Sequence, residues 1–428
     1  MARLRKKILF TTWAGEQNIE SPYSGKFSSG DKIASRIVAE GLVKRGYQVH
    51  FFALSQSARE FSQKGVRVHL IKNPIKAPHS KWTPQQILTY TPQFFELYVQ
   101  KIAELIRYYQ IDLVMARTVH LSATGAQFAS EFTGTPLITT LAERDFLLFF
   151  DRKDYPPKVP AGFHAGKYYL NYSAKKNPAF SVFNFEHQNR IKRLFQKSSA
   201  LIALSPHLIS DVKKTTKHHA PSFVVPDGVG NEFFRKADSE AIKQKLGWNK
   251  SKVILCVART SPYKRQELLV KCLPKVLKQN PDALLVLAGT GPYYDSLTKL
   301  VRALKLTSKI KMLGYQPHHK VSELTSAADV VASPTDSEGL PLTLLEAMAS
   351  GKPVVASNVE PYVHMIKNKK NGILVYNHAE DFAQGINRVL NNPKLNRQIG
   401  QSARKTARQY SWEHTVNLTE KVVRKVLG

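Results

Sequence analysis

Two glutamates flank the beginning of a short apolar segment, and their spacing is the feature of this chain that most suggests chemistry. Glu338 stands in the preceding loop, and Glu346 lies one turn inside a predicted helix. Gly339 can cap that helix, Pro341 suits its first position because a missing N–H costs nothing there, and Gly351 ends it. The pattern predicts a helix of about three turns, with one carboxylate outside its N-terminus and one inside.

The first free N–H groups of this helix, near Leu342 and Thr343, project in front of its N-terminus. The helix dipole favours an anion there, such as a phosphate. Two carboxylates would repel that anion unless they faced other groups, and sugar hydroxyls suit them because a carboxylate accepts several hydrogen bonds. The arrangement suggests a nucleotide sugar, with its diphosphate on the helix end, its hexose at Glu338 and its ribose at Glu346.

The surrounding segment, "SPTDSEGLPLTLLEAMASGKPVVAS" at residues 333–357, resembles the signature of the retaining glycosyltransferases of family 4. That resemblance implies an α/β protein with the GT-B fold, in which two doubly wound Rossmann-like domains face each other across a cleft. A helix that only packs, with two solvated glutamates, would explain the spacing of the glutamates. It would not explain the Gly-Leu-Pro, Ala-Met-Ala and Gly-Lys-Pro context.

Two cations, Arg259 and Lys264, follow a strand-like run at residues 253–258. Open α/β sheets bind ligands at this edge, and sugar transfer needs preorganised cations where the charge of the departing diphosphate grows. Both residues match the family's Arg and Lys contacts to the donor diphosphate. We therefore predict Glu338, Arg259 and Lys264 as the catalytic residues, with Arg265 as a further candidate cation.

Additional positions are predicted to bind the donor. Gly30 precedes a predicted helix and matches the family's glycine loop, although Ser29 replaces the first glycine. A P-loop is excluded there, because Asp31 follows in place of lysine and a hydroxyl residue. Gly314 and Tyr315 follow a strand after which family members hold the base through backbone groups. The remaining predicted substrate-binding residues belong to the glutamate segment: Gly339, Leu342, Thr343 and Glu346.

The acceptor side matches the family less well. Many relatives place a histidine near the sugar after the fourth or fifth strand of the first domain. Here His120 lies three residues past the first of these places, and no histidine occupies the second. Arg117, His120 and Glu143 are predicted acceptor-side residues without assigned roles, and a structural His120 stays an alternative. The resemblance implies same-face substitution, in which the departing phosphate accepts the acceptor's proton and no dedicated base is needed.

No metal and no other cofactor is expected. Asp336 and Glu338 resemble an Asp-x-Asp metal pair only in their letters, because Glu338 is assigned to the sugar. Two pairs of adjacent histidines, at 218–219 and 318–319, lack further ligands at metal spacing. We predict that these histidines are surface imidazoles.

Strand and helix patterns alternate along the chain, which predicts parallel sheets covered on both faces. The turn-forming run at 226–230 separates two groups of strands. We predict an N-terminal acceptor-side domain over residues 1–226, rejoined by a crossover helix over 411–428. Residues 227–410 are predicted to form a C-terminal domain that binds the nucleotide sugar. The predicted strands lie at 7–12, 49–54, 66–71, 113–116, 136–141, 200–204, 222–225, 253–258, 284–288, 310–313, 330–333, 354–357 and 373–375.

A net charge of +31 and a pI near 10.0 distinguish this chain. A nucleotide sugar needs few cations, so the excess is either compositional drift or attraction to an anionic surface, where each Lys or Arg adds about 1 kcal/mol. Anionic lipid, lipopolysaccharide and nucleic acid all satisfy the charge criterion. The aromatic and basic segment 149–185 suits a lipid headgroup surface, and a loop that packs its own rings against the domain is the alternative. No nucleic-acid recognition motif is visible.

The N-terminal residues lead directly into a strand-like run, so no signal peptide is predicted. No apolar run of about 18 residues occurs, so no membrane-spanning helix is predicted either. The two cysteines, Cys256 and Cys272, are expected to be core residues of a cytosolic protein. The expected location is cytoplasmic, with peripheral contact to the cytoplasmic membrane face.

These observations predict a retaining transferase that moves a hexose from a UDP- or GDP-sugar to a glycolipid, lipopolysaccharide or other cell-envelope glycan. A nucleotide-sugar epimerase or hydrolase of the same fold is an alternative, because it would use the same donor site without an acceptor. A basic nucleic-acid-binding protein is an alternative from another class, supported by the charge alone.

Overall fold

The computed structural model describes residues 5–12, 30–55, 57–72, 84–117, 121–142, 178–235 and 237–428. They form two compact units of alternating strands and helices. The first unit holds the described residues up to Asp227 together with Trp412–Gly428, and the second holds Gly228–Ser411.

An eight-stranded sheet forms the centre of the first unit. Its strands are β1 (Lys7–Thr12), β2 (Gln48–Ser55), β3 (Arg59–Gln63), β4 (Val66–Lys72), β5 (Leu113–Arg117), β6 (Leu137–Leu141), β7 (Ala200–Ala203) and β8 (Ser222–Val224). Their order is β3-β4-β2-β1-β5-β6-β7-β8, and every pairing is parallel except that of β3 with β4. The helices before the second unit are α1 (Gly30–Lys44), α2 (Pro84–Tyr109), α3 (Leu121–Thr133), α4 (Pro178–Lys197) and α5 (Pro206–Thr216).

A six-stranded, fully parallel sheet forms the centre of the second unit. Its strands are β9 (Lys252–Val257), β10 (Ala283–Ala288), β11 (Ile310–Gly314), β12 (Val330–Ser333), β13 (Val354–Ser357) and β14 (Ile373–Val375), in the order β11-β10-β9-β12-β13-β14. The helices are α6 (Ser239–Lys245), α7 (Gln266–Gln279), α8 (Tyr294–Ala303), α9 (His318–Ala327), α10 (Leu342–Ala349), α11 (Tyr362–Met365), α12 (Ala379–Leu390) and α13 (Pro393–Ala407).

Helices cover both faces of the second sheet. Strands in such a sheet need apolar side chains on both faces, because both faces are buried. Along β9, Val253 and Leu255 join one buried cluster, while Ile254 and Cys256 join the cluster on the opposite face. Cys272, on α7, lies in the same cluster as Cys256, and both thiols are free. Burial raises the pKa of each to about 12, so both cysteines are inert core residues, as predicted.

Every strand predicted from the sequence is present, with ends that differ by no more than one residue. Patterning missed β3, an edge strand with four exposed residues and one half-buried residue. The irregular segment predicted at 149–185 is described only from Pro178 onward, where α4 begins. Within the described ranges, none of the helices has both the length and the apolar composition that crossing a bilayer requires.

The last helix, α14 (Trp412–Leu427), belongs to the first unit and packs against α1. A methyl group added to Gly41 would lie only 2.6 Å from the Val416 side chain, so the glycine permits the close approach of the two helices. Arg45, just beyond α1, makes ion pairs with Glu413 at 2.6 Å and Glu420 at 3.0 Å. Apolar and ionic contacts together hold the returning helix on the first unit.

Two stacked histidines are buried at the β2–β4 pairing in the first unit. His50 Nδ1 lies 2.9 Å from His69 Nε2, and the Tyr109 ring packs against both imidazoles. Burial and the neighbouring His69, Arg67 and Lys7 lower the pKa of His50 to about 4, while Glu60 opposes them. Burial also lowers the pKa of His69. The pair is therefore neutral in the folded protein near pH 7.

We expect acid to destabilise the first unit through this pair. Between pH 6.5 and about 4 the unfolded chain binds a proton at His50 that the folded chain excludes, so the stability decreases as the pH falls. The full shift corresponds to at most about 3 kcal/mol. Melting temperatures measured across this range should depend less on pH in His50→Phe than in the wild type. His219→Phe, at an exposed histidine, is the matched control, and an unchanged pH dependence in His50→Phe would contradict this account.

Candidate active site

The predicted catalytic residues lie at the carboxyl edge of the second sheet. From β9 the chain proceeds to β10 and β11 on one side, whereas β12, β13 and β14 lie on the other. The strand order therefore reverses between β9 and β12, and open α/β sheets bind ligands at such a point. Arg259 and Lys264 follow β9, and Glu338 follows β12.

Lys264 and Glu338 are in direct contact. The Lys264 ammonium lies 2.5 Å from Glu338 Oε1, and the two side chains are 17% and 14% exposed. The same ammonium lies 5.3 Å from the centre of the Tyr263 ring. The sequence assigned Lys264 to the diphosphate and Glu338 to the hexose. The structure places both charges at one spot, where each offsets the cost of desolvating the other.

A second ionic cluster fixes the loops that carry this pair. Arg265 has a left-handed backbone (φ 52°) before α7, and its guanidinium contacts both Asp336 carboxylate oxygens at 3.1 Å and Glu267 at 2.6 Å. Asn377, beyond β14, donates to Asp336 Oδ1 at 2.9 Å, and the Asp336 N–H donates to the Tyr263 carbonyl at 2.8 Å. Arg265, the further candidate cation, is thus paired with two carboxylates. Its contact with Asp336 joins the loops after β9 and β12, and Asn377 joins the loop after β14 to the same carboxylate.

Arg259 is exposed, and among the described residues its guanidinium makes no ion pair with Glu338. Its backbone carbonyl accepts a hydrogen bond from Gln266 Nε2 at 2.9 Å, which fixes the position of the turn. Among the described residues, no carboxylate lies within salt-bridge distance of its guanidinium. The structure therefore presents Arg259 as an unneutralised cation beside the predicted donor site.

Two glycines allow the turn after β10 to pack against the turn that carries Arg259. A methyl group on Gly289 (φ 135°) would lie 1.9 Å from the Ala258 carbonyl oxygen, and one on Gly291 would lie 2.3 Å from that of Thr260. The Gly289 N–H donates to the Gly314 carbonyl at 2.7 Å. These turns meet backbone against backbone, which leaves no room for side chains.

Gly314 and Tyr315, the predicted base contacts, lie at the same edge of the sheet. Gly314 ends β11 with φ 65°, a conformation that favours glycine, and a methyl group there would meet no atom within 4 Å. The Tyr315 side chain is 40% exposed. Their position beside Gly289 is compatible with the predicted role, which stays a prediction.

The helix between the two glutamates differs in detail from the prediction. Pro341 occupies the N-cap, the place predicted for Gly339, and α10 comprises the eight residues from Leu342, just over two turns. The Leu342 N–H donates to the Leu340 carbonyl, because the chain turns tightly before the helix. Among the described residues the Thr343 N–H has no acceptor, whereas the next two N–H groups donate to Pro341. Of the two predicted anion-facing N–H groups, that of Thr343 is therefore the available one.

Glu346 is buried and paired with a histidine that the sequence analysis placed on the surface. His318 Nε2 lies 2.7 Å from Glu346 Oε1, and the His318 ring meets Phe233 edge-on at 5.2 Å. Burial raises the pKa of Glu346, and His318 partly opposes that effect. Glu346 Oε2 is a buried atom with no partner among the described residues. The His318 side chain is 36% exposed, so it reaches the surface, but its pairing with Glu346 was not predicted because a contact between α9 and α10 has no signal in the local sequence.

Of the predicted first-unit residues, Arg117 and Gly30 are described, whereas His120 and Glu143 lie outside the described residues. Arg117 ends β5, is 7% exposed, and places Nη2 2.5 Å from Asp227 Oδ2. Gly30 is the first residue of α1. Arg117 thus takes part in a buried ion pair within its own unit.

The predicted absence of a metal stays a prediction. Within the described ranges, no three His, Cys, Asp or Glu side chains are arranged to hold a metal ion. His218, predicted to be a surface imidazole, is instead buried, with Nδ1 near the Phe195 carbonyl and Nε2 3.2 Å from Ser222 Oγ. Burial lowers the pKa of His218, which favours the neutral ring.

Sequence reasoning also missed Asn377 and Asp227. Asn377 had a usable signal, because it is a polar residue two positions beyond the end of β14, at the edge where ligands bind. Asp227 was treated only as part of a turn, and its pairing with Arg117 joins residues 110 positions apart. Such a pairing has no local pattern.

Two family models match this chain. The model described as "Glycosyl transferases group 1" matches residues 238–406, and that described as "Glycosyl transferase 4-like domain" matches residues 34–213. An uncharacterized glycosyltransferase of Methanocaldococcus jannaschii is 36% identical over 183 residues, 41% of this chain and 46% of the relative. This match, like those to the other first-ranked curated relatives, spans a little under half of the relative's length.

Solved structures resemble nearly the whole chain. Sucrose-phosphate synthase from Thermosynechococcus elongatus has a TM-score of 0.78 at 18% identity, covering 98% of this chain and 99% of that one. Anabaena HepE in complex with UDP-glucose has a TM-score of 0.69 at 19% identity, with coverage of 98% and 99%. At these identities the likeness establishes the fold, which is GT-B, as predicted.

The packing of the two turns can be tested with Gly289→Ala. Gly247 also has a positive φ (71°), but a methyl group there meets nothing within 4 Å. Gly247→Ala should therefore lower the free energy of unfolding by about 1 kcal/mol, from backbone strain alone. Gly289→Ala should lower it by about 2 kcal/mol more, because the Ala258 carbonyl must move. Denaturant unfolding of both variants measures the difference, and equal losses would show that the close approach is unimportant.

Proposed function

This chain belongs to glycosyltransferase family 4, and we propose that it is a retaining hexosyltransferase that uses a UDP- or GDP-sugar. The proposed acceptor is a glycolipid, lipopolysaccharide or other cell-envelope glycan. The observation that carries the proposal is the Lys264–Glu338 contact at the strand-order reversal of the second sheet, with the exposed Arg259 on the same loop as Lys264. No metal or other cofactor is part of the proposed chemistry.

The charges at this edge suit a diphosphate leaving group. As the bond between the sugar's anomeric carbon and the phosphate oxygen breaks, negative charge grows on the diphosphate, and fixed cations stabilise it best. Arg259 already offers an unneutralised guanidinium. Lys264 is neutralised by Glu338, and a diphosphate would compete for its ammonium. In the proposed complex Lys264 binds phosphate and Glu338 turns to hydroxyls of the hexose.

The proposed step is a same-face substitution. The acceptor hydroxyl oxygen bonds to the anomeric carbon on the face from which the diphosphate departs, and the hydroxyl proton passes to the leaving phosphate oxygen. The products are a glycoside with retained configuration and a nucleoside diphosphate. Because the leaving group itself takes the proton, none of the residues Arg117, His120 and Glu143 is required as a base.

The nucleoside end of the donor is assigned to the groups around α10. Glu346 Oε2 is a buried acceptor that needs a donor, and a ribose hydroxyl would supply one after a small movement of the side chain. The Thr343 N–H lies at the positive end of the helix and suits a phosphate oxygen. Anabaena HepE, which shares the fold, holds UDP-glucose in its crystal structure, and this supports a nucleotide-sugar donor here.

The net charge of +31 supports an acceptor at an anionic surface. We propose peripheral association with the cytoplasmic membrane face, where anionic lipid attracts clustered Lys and Arg side chains. The aromatic and basic residues at 149–177 are proposed to contribute, and they lie outside the described residues. Nucleic acid is not a proposed partner.

Donor binding can be tested through Arg259→Ala. The side chain is exposed and unpaired among the described residues, so the variant should melt at the wild-type temperature without ligand. A true donor at 100 times its Kd should stabilise the wild type by about 2.7 kcal/mol, and this gain should largely disappear in Arg259→Ala. Screening UDP- and GDP-sugars by thermal unfolding measures both effects, with the exposed Arg302→Ala as the matched control.

Two outcomes of that screen would count against the proposal. If no UDP- or GDP-sugar stabilised the wild type, the assignment of the donor site would fail. If a donor stabilised Arg259→Ala and Arg302→Ala equally, the donor would bind away from the β9 turn. Lys264→Ala should also lose the stabilisation by the donor. Without ligand it should melt at a lower temperature than the wild type, because the Glu338 carboxylate loses its ammonium partner.

Membrane association can be tested by cosedimentation with vesicles. Vesicles that contain phosphatidylserine should retain the protein, whereas neutral phosphatidylcholine vesicles should not, because the attraction is electrostatic. Raising the salt concentration from 0.1 to about 1 M should release it, since the Debye length falls from about 10 to 3 Å. Equal binding to both kinds of vesicle would exclude an electrostatic association.

A further inference from the structure

The second unit has a surface cavity of about 320 Å³ that the proposed reaction does not use. It lies at the amino edge of the second sheet, because Asp329 directly precedes β12 and Lys352 lies just before β13. Arg259, Lys264 and Glu338 lie at the carboxyl edge. We call this cavity the rear pocket, lined by Asp329, Ser350, Lys352 and, on α13, Arg397, Gln401 and Arg404.

Three cations converge on the rear pocket. The Lys352 ammonium donates to the Ser326 carbonyl at 2.7 Å, and the Arg404 guanidinium donates to the Phe234 carbonyl. Arg397 is exposed. A carbonyl oxygen carries no net charge, so these hydrogen bonds do not neutralise Lys352 or Arg404. Among the described residues, no carboxylate lies within salt-bridge distance of Lys352, Arg397 or Arg404.

The acid that lines the pocket is already neutralised. Asp329 accepts from the Lys243 ammonium at 2.9 and 3.0 Å and from the Val253 N–H at 2.7 Å. Helix α13 contributes four Lys or Arg residues and no Asp or Glu. Burial lowers the pKa of Lys352, while nearby Asp329 raises it. The pocket therefore has an excess of positive charge that its own residues do not balance.

A buried hydroxyl supplies independent support for a ligand. Ser350 lines the pocket, and its buried Oγ has no hydrogen-bond partner among the described residues. Buried polar atoms are nearly always satisfied, so a ligand in the cavity could supply the missing acceptor after a rotation of the Ser350 side chain. A tetrahedral oxyanion offers acceptors to a hydroxyl and to guanidinium groups at the same time.

We propose that the rear pocket is a binding site for a phosphate group, formed by Lys352, Arg397, Arg404 and Ser350. The volume is near the lower end of the range for ligand sites, about 300 to 1,000 Å³, and leaves room for a small group attached to the phosphate. The phosphate belongs to a small phosphorylated molecule or to a lipid headgroup. This site is separate from the donor site, so its failure would leave the proposed function unaffected.

The test is calorimetric titration of the full chain with inorganic phosphate and glycerol phosphate. Arg259→Ala serves as the background, so that the donor site contributes less to the signal. Removing one charge-assisted contact with Arg397→Ala should weaken binding by about tenfold or more. Lys394→Ala removes an equally exposed cation from the same helix, outside the pocket, and should change the affinity less than about twofold.

Ser350→Ala separates a binding role from a structural one. Its hydroxyl has no partner among the described residues, so the ligand-free variant should be as stable as its parent while binding phosphate several-fold more weakly. A loss of stability with unchanged phosphate affinity would show a structural hydroxyl and count against the site.

A vesicle arm identifies the source of the phosphate. If neither soluble phosphate binds, but phosphatidic acid vesicles retain the protein and Arg397→Ala releases it more than Lys394→Ala does, the ligand is a lipid headgroup. If the soluble phosphates bind, and Arg397→Ala weakens their binding more than Lys394→Ala does, the ligand is a small phosphorylated molecule. No binding in either arm, or equal effects of Arg397→Ala and Lys394→Ala, would overturn the proposal.

Discussion

The contact between Lys264 and Glu338 depends on where two loops leave the second sheet. Parallel strands place all their carboxyl ends at one edge, and the reversal of order between β9 and β12 brings the loops after these strands side by side. A lysine on one loop and a glutamate on the other are then within hydrogen-bond distance, although 74 positions separate them. Either charge alone, mostly buried, would be costly. The pair therefore stabilises both loops in the arrangement that the proposed chemistry needs.

The surrounding residues hold the loops so that the charges stay in place. Arg265, Asp336 and Asn377 link the ends of three strands, and Gly289 lets a fourth turn pack directly on the backbone before Arg259. These residues position the site without being assigned contacts to a donor. Arg259 is exposed on its turn, and Glu346 has one oxygen without a partner among the described residues, so both are available to a donor.

The sequence predicted the strands well because β9 to β14 and most strands of the first unit are apolar runs bounded by turn residues. It missed β3, whose "REFSQ" lies exposed at an edge and carries little apolar signal. It predicted Glu338, Lys264 and Arg259 from a family resemblance, yet not that Lys264 and Glu338 would touch. The pairings of His318 with Glu346 and of Arg117 with Asp227 join distant residues through tertiary packing, so no local pattern marks them. The misplaced cap of α10 arose because Gly339 and Pro341 both suit helix starts.

The position of α14 has a consequence for biosynthesis. The helix that covers Gly41 of α1 is encoded after the entire second unit, so the ribosome completes that unit before the first unit can acquire its final helix. During this interval the face of α1 that later receives Val416 has no native cover. Domains generally fold in the order of their synthesis, and exposed apolar surface favours misassembly. In this chain the first unit therefore completes its native packing only after the second unit has been synthesised, and until then this face of α1 is accessible to chaperones.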